Sequence, residues 1–172
     1  MNLFLETKNL IITAPELADF NNLYALQTDA DVMKYIGQGI RTETEIMAGL
    51  EKAMAHYKKY GFSLGCVFEK ESTQFVGRAG LIYVAYNDSQ PDIEVAYALH
   101  KTAWNKGYGL ELAKTLITWG FQNIAIEKLV ADVHPKNERS RRVLEKAGMN
   151  YVGMGTYENK EVAWYSISRK MI

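Results

Sequence analysis

The stretch that decides the fold runs from residue 92 to residue 123 and reads DIEVAYALHKTAWNKGYGLELAKTLITWGFQN. Its first part alternates between large apolar side chains and other side chains, which predicts a β-strand over residues 92–99. Its second part carries apolar residues at steps of three and four, which predicts an amphipathic helix. The apolar set of that helix is Leu110, Ala113, Ile117, Phe121 and Ile124.

A glycine-containing turn, Asn105-Lys106-Gly107-Tyr108-Gly109, joins this strand to this helix. The N-terminus of a helix carries unpaired N–H groups and about half a positive charge, so it suits a phosphate group. A dinucleotide-binding turn would need a third glycine where the chain has Leu112, and the Gly-Lys-Ser/Thr of a P-loop does not occur. The turn by itself leaves two interpretations open, a phosphate site and an ordinary strand-to-helix connection.

The remaining sequence predicts strands and helices on both sides of this unit. Short strand patterns joined by polar turns predict antiparallel hairpins over residues 62–84 and 151–168. The strands 92–99 and 127–134 flank a crossover helix, so they should be parallel. Further strands and helices are predicted at 5–13 (strand), 16–27 (helix), a short segment through Ile36 (helix), 43–60 (helix, with a Thr42/Glu45 capping box) and 138–147 (helix, capped by Asn137).

The totals limit the function classes. A chain of 172 residues predicts one domain, residues 1–172. Its 20 basic and 20 acidic residues balance, so charge gives no reason to expect a nucleic-acid or membrane partner. The lone cysteine, Cys66, lies in an apolar stretch, and no leader or 18-residue apolar run is present, so we expect a cytoplasmic protein. The scattered histidines show no metal-ligand spacing, so we expect no metal, and the choice between monomer and homodimer stays open.

Two longer motifs resemble a known family. Residues 94–112, EVAYALHKTAWNKGYGLEL, are similar to motif A of the GNAT superfamily of N-acetyltransferases, and in particular to the branch that acetylates ribosomal-protein N-termini (RimJ/RimL-like). Residues 133–149, VHPKNERSRRVLEKAGM, resemble motif B of that family. Shorter matches are LETKNL at 5–10, YGF at 60–62 and FVGRAGL at 75–81. The resemblance therefore covers nearly the whole chain.

The resemblance implies an α/β fold of the GNAT type. Its mixed, mostly antiparallel sheet has about seven strands, with a central parallel pair that splays apart, and helices flank it. Acetyl-CoA, the co-substrate, would lie between the splayed strands. The resemblance assigns it to the backbone around Ala98, Leu99 and His100, to the turn residues Trp104, Asn105, Lys106, Gly107, Tyr108 and Gly109, and to Asn137. It leaves open which of Arg139, Arg141 and Arg142 reaches the 3′-phosphate.

Catalytic candidates follow from the same motifs. Glu94 matches a glutamate of this branch and is the candidate general base, although a carboxylate on a strand surface is an equal alternative. The tyrosine that often protonates the leaving thiolate in the wider superfamily is replaced here by Leu144. Ser140, one helical turn earlier, is the candidate substitute, with a small packed residue as the alternative.

The function implied is an acetyl-CoA-dependent N-acetyltransferase that transfers directly to an amine in a ternary complex. The expected acceptor is the α-amine of a protein N-terminus. Alternatives are a small amine, such as a polyamine or an aminoglycoside, and a non-catalytic acyl-CoA-binding module. His56 is expected on the surface. Four tyrosines are candidates for an acceptor cleft or for the core: Tyr35, Tyr83, Tyr86 and Tyr157.

Overall fold

The computed structural model describes residues 2–172, and these residues form eight strands and five α-helices. The strands are β1 (Leu3–Glu6), β2 (Leu10–Thr13), β3 (Leu64–Glu69), β4 (Phe75–Tyr83), β5 (Ile93–Leu99), β6 (Lys128–Val133), β7 (Asn150–Tyr157) and β8 (Lys160–Ser168). The helices are α1 (Phe20–Gln27), α2 (Ala30–Met33), α3 (Glu43–Tyr60), α4 (Tyr108–Asn123) and α5 (Glu138–Lys146).

All eight strands belong to one mixed sheet in the order β1-β2-β3-β4-β5-β6-β8-β7. The predicted hairpins β3–β4 and β7–β8 are antiparallel, and β5 and β6 are the parallel pair, so the predicted α/β class is confirmed. The sheet has eight strands instead of about seven because the predicted strand 5–13 is divided into β1 and β2. The amide of Thr7 donates to the carbonyl of Leu10 at 2.9 Å, which turns the chain. Glu111 of α4 accepts from the Asn9 amide at 2.6 Å and holds that turn.

The parallel strands β5 and β6 are paired over only a short length before they separate. Among the described residues, β5 and β6 share a single register pair, Glu94 with Val130. In contrast, β5 stays paired with β4 as far as Leu99 opposite Gly77. The second half of β5 therefore has a partner strand on one side only.

Two sets of helices cover the two faces of the sheet. Helices α4 and α5 pack on one face, where Ile93 and Val95 of β5 enter the largest core cluster together with Leu112 and Leu116 of α4. Helices α1 to α3 pack on the other face, where Cys66 is buried as predicted. The predicted apolar face of α4 is confirmed for Ala113, Ile117 and Phe121, which are buried. Its buried residues are Leu112, Ala113, Leu116, Ile117, Gly120 and Phe121.

Helix ends agree with the capping signals in the sequence. Thr42 and Glu45 form the predicted capping box, and Gly61 ends α3 with a φ of 76°. Asn137 caps α5, since its side-chain oxygen accepts from the Ser140 amide at 3.2 Å. No helix within residues 2–172 has both the length and the apolarity that crossing a bilayer requires.

The expectation that His56 lies on the surface is wrong. His56 is 6% exposed, its Nδ1–H donates to the Phe62 carbonyl at 2.7 Å, and its Nε2 accepts from the Tyr83 amide at 3.2 Å. These two bonds require a neutral imidazole, and burial lowers the pKa of His56 from its ordinary value. The side chain thus joins α3 to β3 and β4.

Acid should weaken this connection. Because the pKa of His56 is lower in the folded state, the unfolded chain binds the extra proton first as the pH falls below about 6.5. We expect the free energy of unfolding to fall, by at most about 1.4 kcal/mol per pH unit from this group, between about pH 7 and about pH 5. Chemical denaturation at several pH values measures it. In His56→Gln this slope should be shallower. Equal slopes in wild type and His56→Gln would contradict the assignment.

Candidate active site

The opened half of β5 presents unpaired backbone to the gap. The Val84 amide donates to the Asp92 carbonyl at 3.0 Å, and the His100 amide donates to the Val76 carbonyl at 2.8 Å. Since backbone groups of successive residues alternate in direction, Ala98 and His100 point their hydrogen-bonding groups towards β4, and Tyr97 and Leu99 point theirs towards the gap. Of the residues predicted to contact pantetheine, Leu99 faces the gap, whereas Ala98 and His100 direct their backbone groups to β4; Tyr97 also faces the gap.

Trp104 fixes the start of the predicted phosphate turn. Its indole Nε1–H donates to the Leu99 carbonyl at 2.8 Å, so the end of β5 and the turn are held together. Because this bond occupies the Leu99 carbonyl, the Leu99 amide is the backbone group of that residue that remains unpaired at the gap. Trp104 therefore acts on the end of β5 through its side chain.

The turn itself has the shape of an anion-binding nest. Asn105 and Gly107 have positive φ angles of 61° and 79°, and Lys106 lies between them. Within the described chain, the amides of residues 105–110 donate no hydrogen bond. These free donors at the N-terminus of α4 can bind a phosphate group.

The Lys106 ammonium is already paired with a carboxylate. It lies 3.2 Å from the Glu69 carboxylate, which also accepts from the Tyr108 hydroxyl. Hydrogen bonds from Ser72, Tyr108 and Lys106, in that order of size, lower the pKa of Glu69 to about 2. Glu69 thereby ties the turn to β3 and offsets the charge of Lys106.

Among the three candidate arginines, Arg139 lies beside the turn. Its guanidinium is 4.6 Å from the ring centre of Trp104. Arg141 instead donates to the Tyr165 hydroxyl at 3.0 Å, and Arg142 lies 3.4 Å from Glu138. Arg139 therefore joins the N-terminus of α5 to the turn before α4.

Glu94 is buried where β5 and β6 separate. It is 4% exposed, and its Oε2 atom has no hydrogen-bond partner within the described chain. Burial raises its pKa well above the ordinary value, and the neighbouring Asp132 and Glu158 raise it further, whereas Arg78 acts in the opposite direction. Glu94 lies on the face of β5 opposite to Ile93 and Val95, since those two enter the core under α4.

Asp132 is the functional candidate that the sequence interpretation missed. Val130 pairs with Glu94, and Asp132 lies two residues further along β6, so it shares the face of Glu94. Burial raises the pKa of Asp132 as well, whereas the neighbouring Glu94 carboxyl acts the other way. An aspartate inside the apolar strand pattern LVADV was the available signal.

The four candidate tyrosines divide into two groups. Burial raises the pKa of both Tyr157 and Tyr86; the charges of Glu94 and Asp132 raise that of Tyr157 further, whereas Arg78 acts in the opposite direction on Tyr86. The Tyr83 ring is 4.9 Å from Tyr60, and the Tyr35 ring is 5.0 Å from His134. Tyr86 and Tyr157 thus lie closest to the charged groups around Glu94.

Helix α5 brings Ser140 next to β5. The Ser140 Oγ lies 3.2 Å from the Tyr97 hydroxyl. Leu144, one turn further along the helix, is 2% exposed and packs in the main core, so it offers no polar group. Within residues 2–172, no cluster of three or more acidic, cysteine or histidine side chains is arranged to hold a metal ion.

Comparison with known proteins shows the family. The sequence profile of the acetyltransferase (GNAT) domain matches residues 9–150. The chain is 28% identical over 148 residues to the uncharacterized N-acetyltransferase YnaD of Bacillus subtilis, covering 86% of this chain and 82% of the relative. It is 25% identical to a solved GNAT-family acetyltransferase of Bacillus anthracis, with a TM-score of 0.80 over 99% of both chains. The chain belongs to the GNAT acetyltransferase family and is an acetyltransferase.

Two further solved structures share the fold at lower identity. The ribosomal L7/L12 α-N-protein acetyltransferase RimL, solved with coenzyme A, is 12% identical with a TM-score of 0.79 and covers 97% of this chain and 98% of its own. The aminoglycoside acetyltransferase AAC(6')-Ib, also solved with coenzyme A, is 16% identical with a TM-score of 0.76 over 95% of both chains. At these identities the similarity shows the fold alone.

Proposed function

We propose that the protein transfers the acetyl group of acetyl-CoA to the α-amine of a protein N-terminus, directly and in a ternary complex. The observation that carries the proposal is the buried carboxyl of Glu94, whose Oε2 has no partner at the point where the sheet opens. A buried carboxyl in that condition is suited to accept a proton from a bound amine. Membership of the GNAT family makes the chain an acetyl-CoA-dependent N-acetyltransferase.

The residues around the gap fit acetyl-CoA. The inward-facing backbone of Tyr97 and Leu99 would pair with the pantetheine amides, and the free amides of residues 105–110 would bind the pyrophosphate. The Asn137 amide and the Arg139 guanidinium, at the N-terminus of α5, would add polar contacts on the same side. The co-substrate supplies a thioester whose carbonyl carbon the amine attacks.

The acceptor amine must be neutral to attack. A free α-amine with a pKa near 7.8 is roughly 14% neutral at pH 7, whereas a lysine with a pKa near 10.4 is roughly 0.04% neutral. The raised pKa of Glu94 brings its proton affinity nearer to that of an α-amine, so proton transfer is less uphill than to an ordinary carboxylate. This match supports an N-terminal acceptor.

One feature favours a second candidate, a small molecule with several amino groups. Asp132 and Glu158 lie close enough to Glu94 to raise its pKa, and Arg78 acts in the opposite direction. Such an excess of negative charge attracts cations. A polyamine or an aminoglycoside would place one amine at Glu94 and a second near Asp132 or Glu158.

A panel of acceptors separates these functions. We expect release of free thiol from acetyl-CoA with peptides that carry free N-termini, and little release with the same peptides blocked at the N-terminus. A higher kcat/KM for polyamines or aminoglycosides would select the second candidate. If acetyl-CoA raises the melting temperature but no acceptor releases thiol, the non-catalytic acyl-CoA-binding alternative would be correct.

The proposed role of Glu94 as the base leads to a prediction for the Glu94→Gln variant. Glu94→Gln should lower kcat at neutral pH by about 100-fold, because the amine loses its proton acceptor. The melting-temperature shift caused by acetyl-CoA should stay unchanged. Glu138→Gln, at a well-exposed carboxylate on α5, should keep wild-type kcat. A wild-type kcat in Glu94→Gln would remove Glu94 as the base.

The charge of Asp132 predicts the direction in which the pH dependence of kcat should shift in an Asp132 variant. Glu94 works as a base only above its raised pKa, so kcat falls as the pH falls through that value. Asp132→Asn removes a negative charge that raises this pKa, so the acid limb of the kcat profile should move to lower pH. The profile is measured between about pH 5 and about pH 9 with both substrates saturating. A limb that moves to higher pH, or stays in place, would contradict the coupling of the two carboxyl groups.

The position of Arg139 beside the turn leads to a prediction about coenzyme A binding. Arg139→Ala should weaken coenzyme A binding by about 10-fold, the effect of losing one charge-assisted hydrogen bond. Arg142→Ala is the matched control, because that side chain pairs with Glu138 in solvent, and it should leave binding unchanged. Calorimetry with dephospho-coenzyme A, which lacks the 3′-phosphate, shows whether that group is the partner. An equal loss for both ligands would exclude a contact between Arg139 and the 3′-phosphate.

A further inference from the structure

Tyr97 is partly buried on β5, and its hydroxyl has one polar partner. Its oxygen lies 3.2 Å from Ser140 Oγ on α5, and no other hydrogen bond of this hydroxyl occurs within residues 2–172. This contact links the opened strand to the first turn of α5. It lies on the α4/α5 side of β5, where Tyr97 packs against the main core.

The Tyr97 ring lies close to Gly109 in the first turn of α4. A Cβ atom at Gly109 would make ordinary van der Waals contacts, at 3.4 Å from Tyr97 Cε2 and 3.8 Å from Val143 Cγ1. The ring therefore lies against the first turn of α4 and beside α5. The phosphate turn, the opened strand and Ser140 consequently meet at this one side chain.

The direction of the hydrogen bond follows from the chemistry of the two hydroxyls. Burial raises the pKa of Tyr97 to about 12, so the phenol keeps its proton and remains a donor at physiological pH. The backbone amide of Ser140 donates to Asn137 Oδ1, which holds Ser140 at the N-terminus of α5. If Tyr97 donates to Ser140 Oγ, the proton of Ser140 is free to point to another acceptor.

We propose that Tyr97 is a positioning residue that donates to Ser140 Oγ and so directs the Ser140 proton towards the sulfur of the leaving coenzyme A. The inference rests on the proposed function. When the C–N bond forms and the C–S bond breaks, the electron pair of the C–S bond passes to sulfur, which leaves as a thiolate stabilised by a hydrogen bond from the Ser140 hydroxyl. The proton lost by the amine goes to Glu94, and the thiolate takes its proton from solvent after release. The pair of hydroxyls thereby fills the role for which Leu144 has no group.

The first test needs no acceptor. The thiol of bound coenzyme A is titrated by the ultraviolet absorbance of its thiolate, in wild type, Ser140→Ala, Tyr97→Phe and the double variant. A hydrogen bond from Ser140 stabilises the thiolate, so Ser140→Ala should raise the thiol pKa. Tyr97→Phe should raise it by a smaller amount, and the double variant should match Ser140→Ala.

The outcomes of this titration decide the inference separately from the acceptor. An unchanged thiol pKa in Ser140→Ala or in Tyr97→Phe would overturn it, and so would fully additive shifts in the double variant. Since coenzyme A alone is the probe, the result stands even if every acceptor in the panel fails. If wild type does not bind coenzyme A at all, the proposed function itself has failed.

The second test uses turnover with an acceptor that wild type acetylates. Tyr97→Phe should lower kcat by about 10-fold with both KM values nearly unchanged, and it should have no further effect in the Ser140→Ala background. Ser140→Thr, which keeps a hydroxyl, should restore the dependence on Tyr97. Tyr57→Phe, at a tyrosine of α3 that packs on Phe4, controls for loss of a phenolic hydroxyl elsewhere. A loss of kcat in Tyr97→Phe that persists in the Ser140→Ala background would show a purely structural role.

Discussion

The separation of β5 from β6 after one register pair is the constraint on which the rest of the structure depends. Unpaired backbone in the middle of a sheet is costly, so both strands must be held from their other sides. β5 is paired with β4 from Ile93 to Leu99, and β6 is paired with β8 from Lys128 to Val133. The gap is therefore bounded by two strands that are each held by a neighbour on the far side, and backbone groups of β5 face it.

The same separation determines where charge can be buried. Glu94 lies at the last paired position, so its backbone is still held while its side chain borders the opening. Burying one carboxylate there is unfavourable, and a second carboxyl at Asp132 makes ionisation of both more so. Burial raises the pKa of both groups, and a nearby cation would offset part of the cost of ionising them. The strand geometry thus places two carboxyl groups at the opening.

Sequence patterns predicted the parts of this protein that depend on local order. The strand–turn–helix unit, both hairpins, the Thr42 box and the Asn137 cap follow from spacing and residue type. The features that were missed depend on neighbours distant in sequence. Asp132 becomes significant through its register with β5, His56 is buried because β4 and the Phe62 carbonyl meet its two nitrogens, and β1 ends early because Glu111 of α4 binds the turn. No local pattern contains that information.

The lack of a polar group at Leu144 is compatible with catalysis in the mechanism proposed above. Ser140 and Leu144 are four residues apart and so lie on the same face of α5, with Ser140 one turn nearer the N-terminus. That end of a helix carries partial positive charge, which favours a thiolate more than a position further along would. A serine hydroxyl is a weak donor by itself; in the arrangement proposed above, the phenol of Tyr97, 3.2 Å away, supplies the hydrogen bond that orients it. A donor nearer the helix end would then lie in a favourable field and take its orientation from the strand, while Leu144 completes the core.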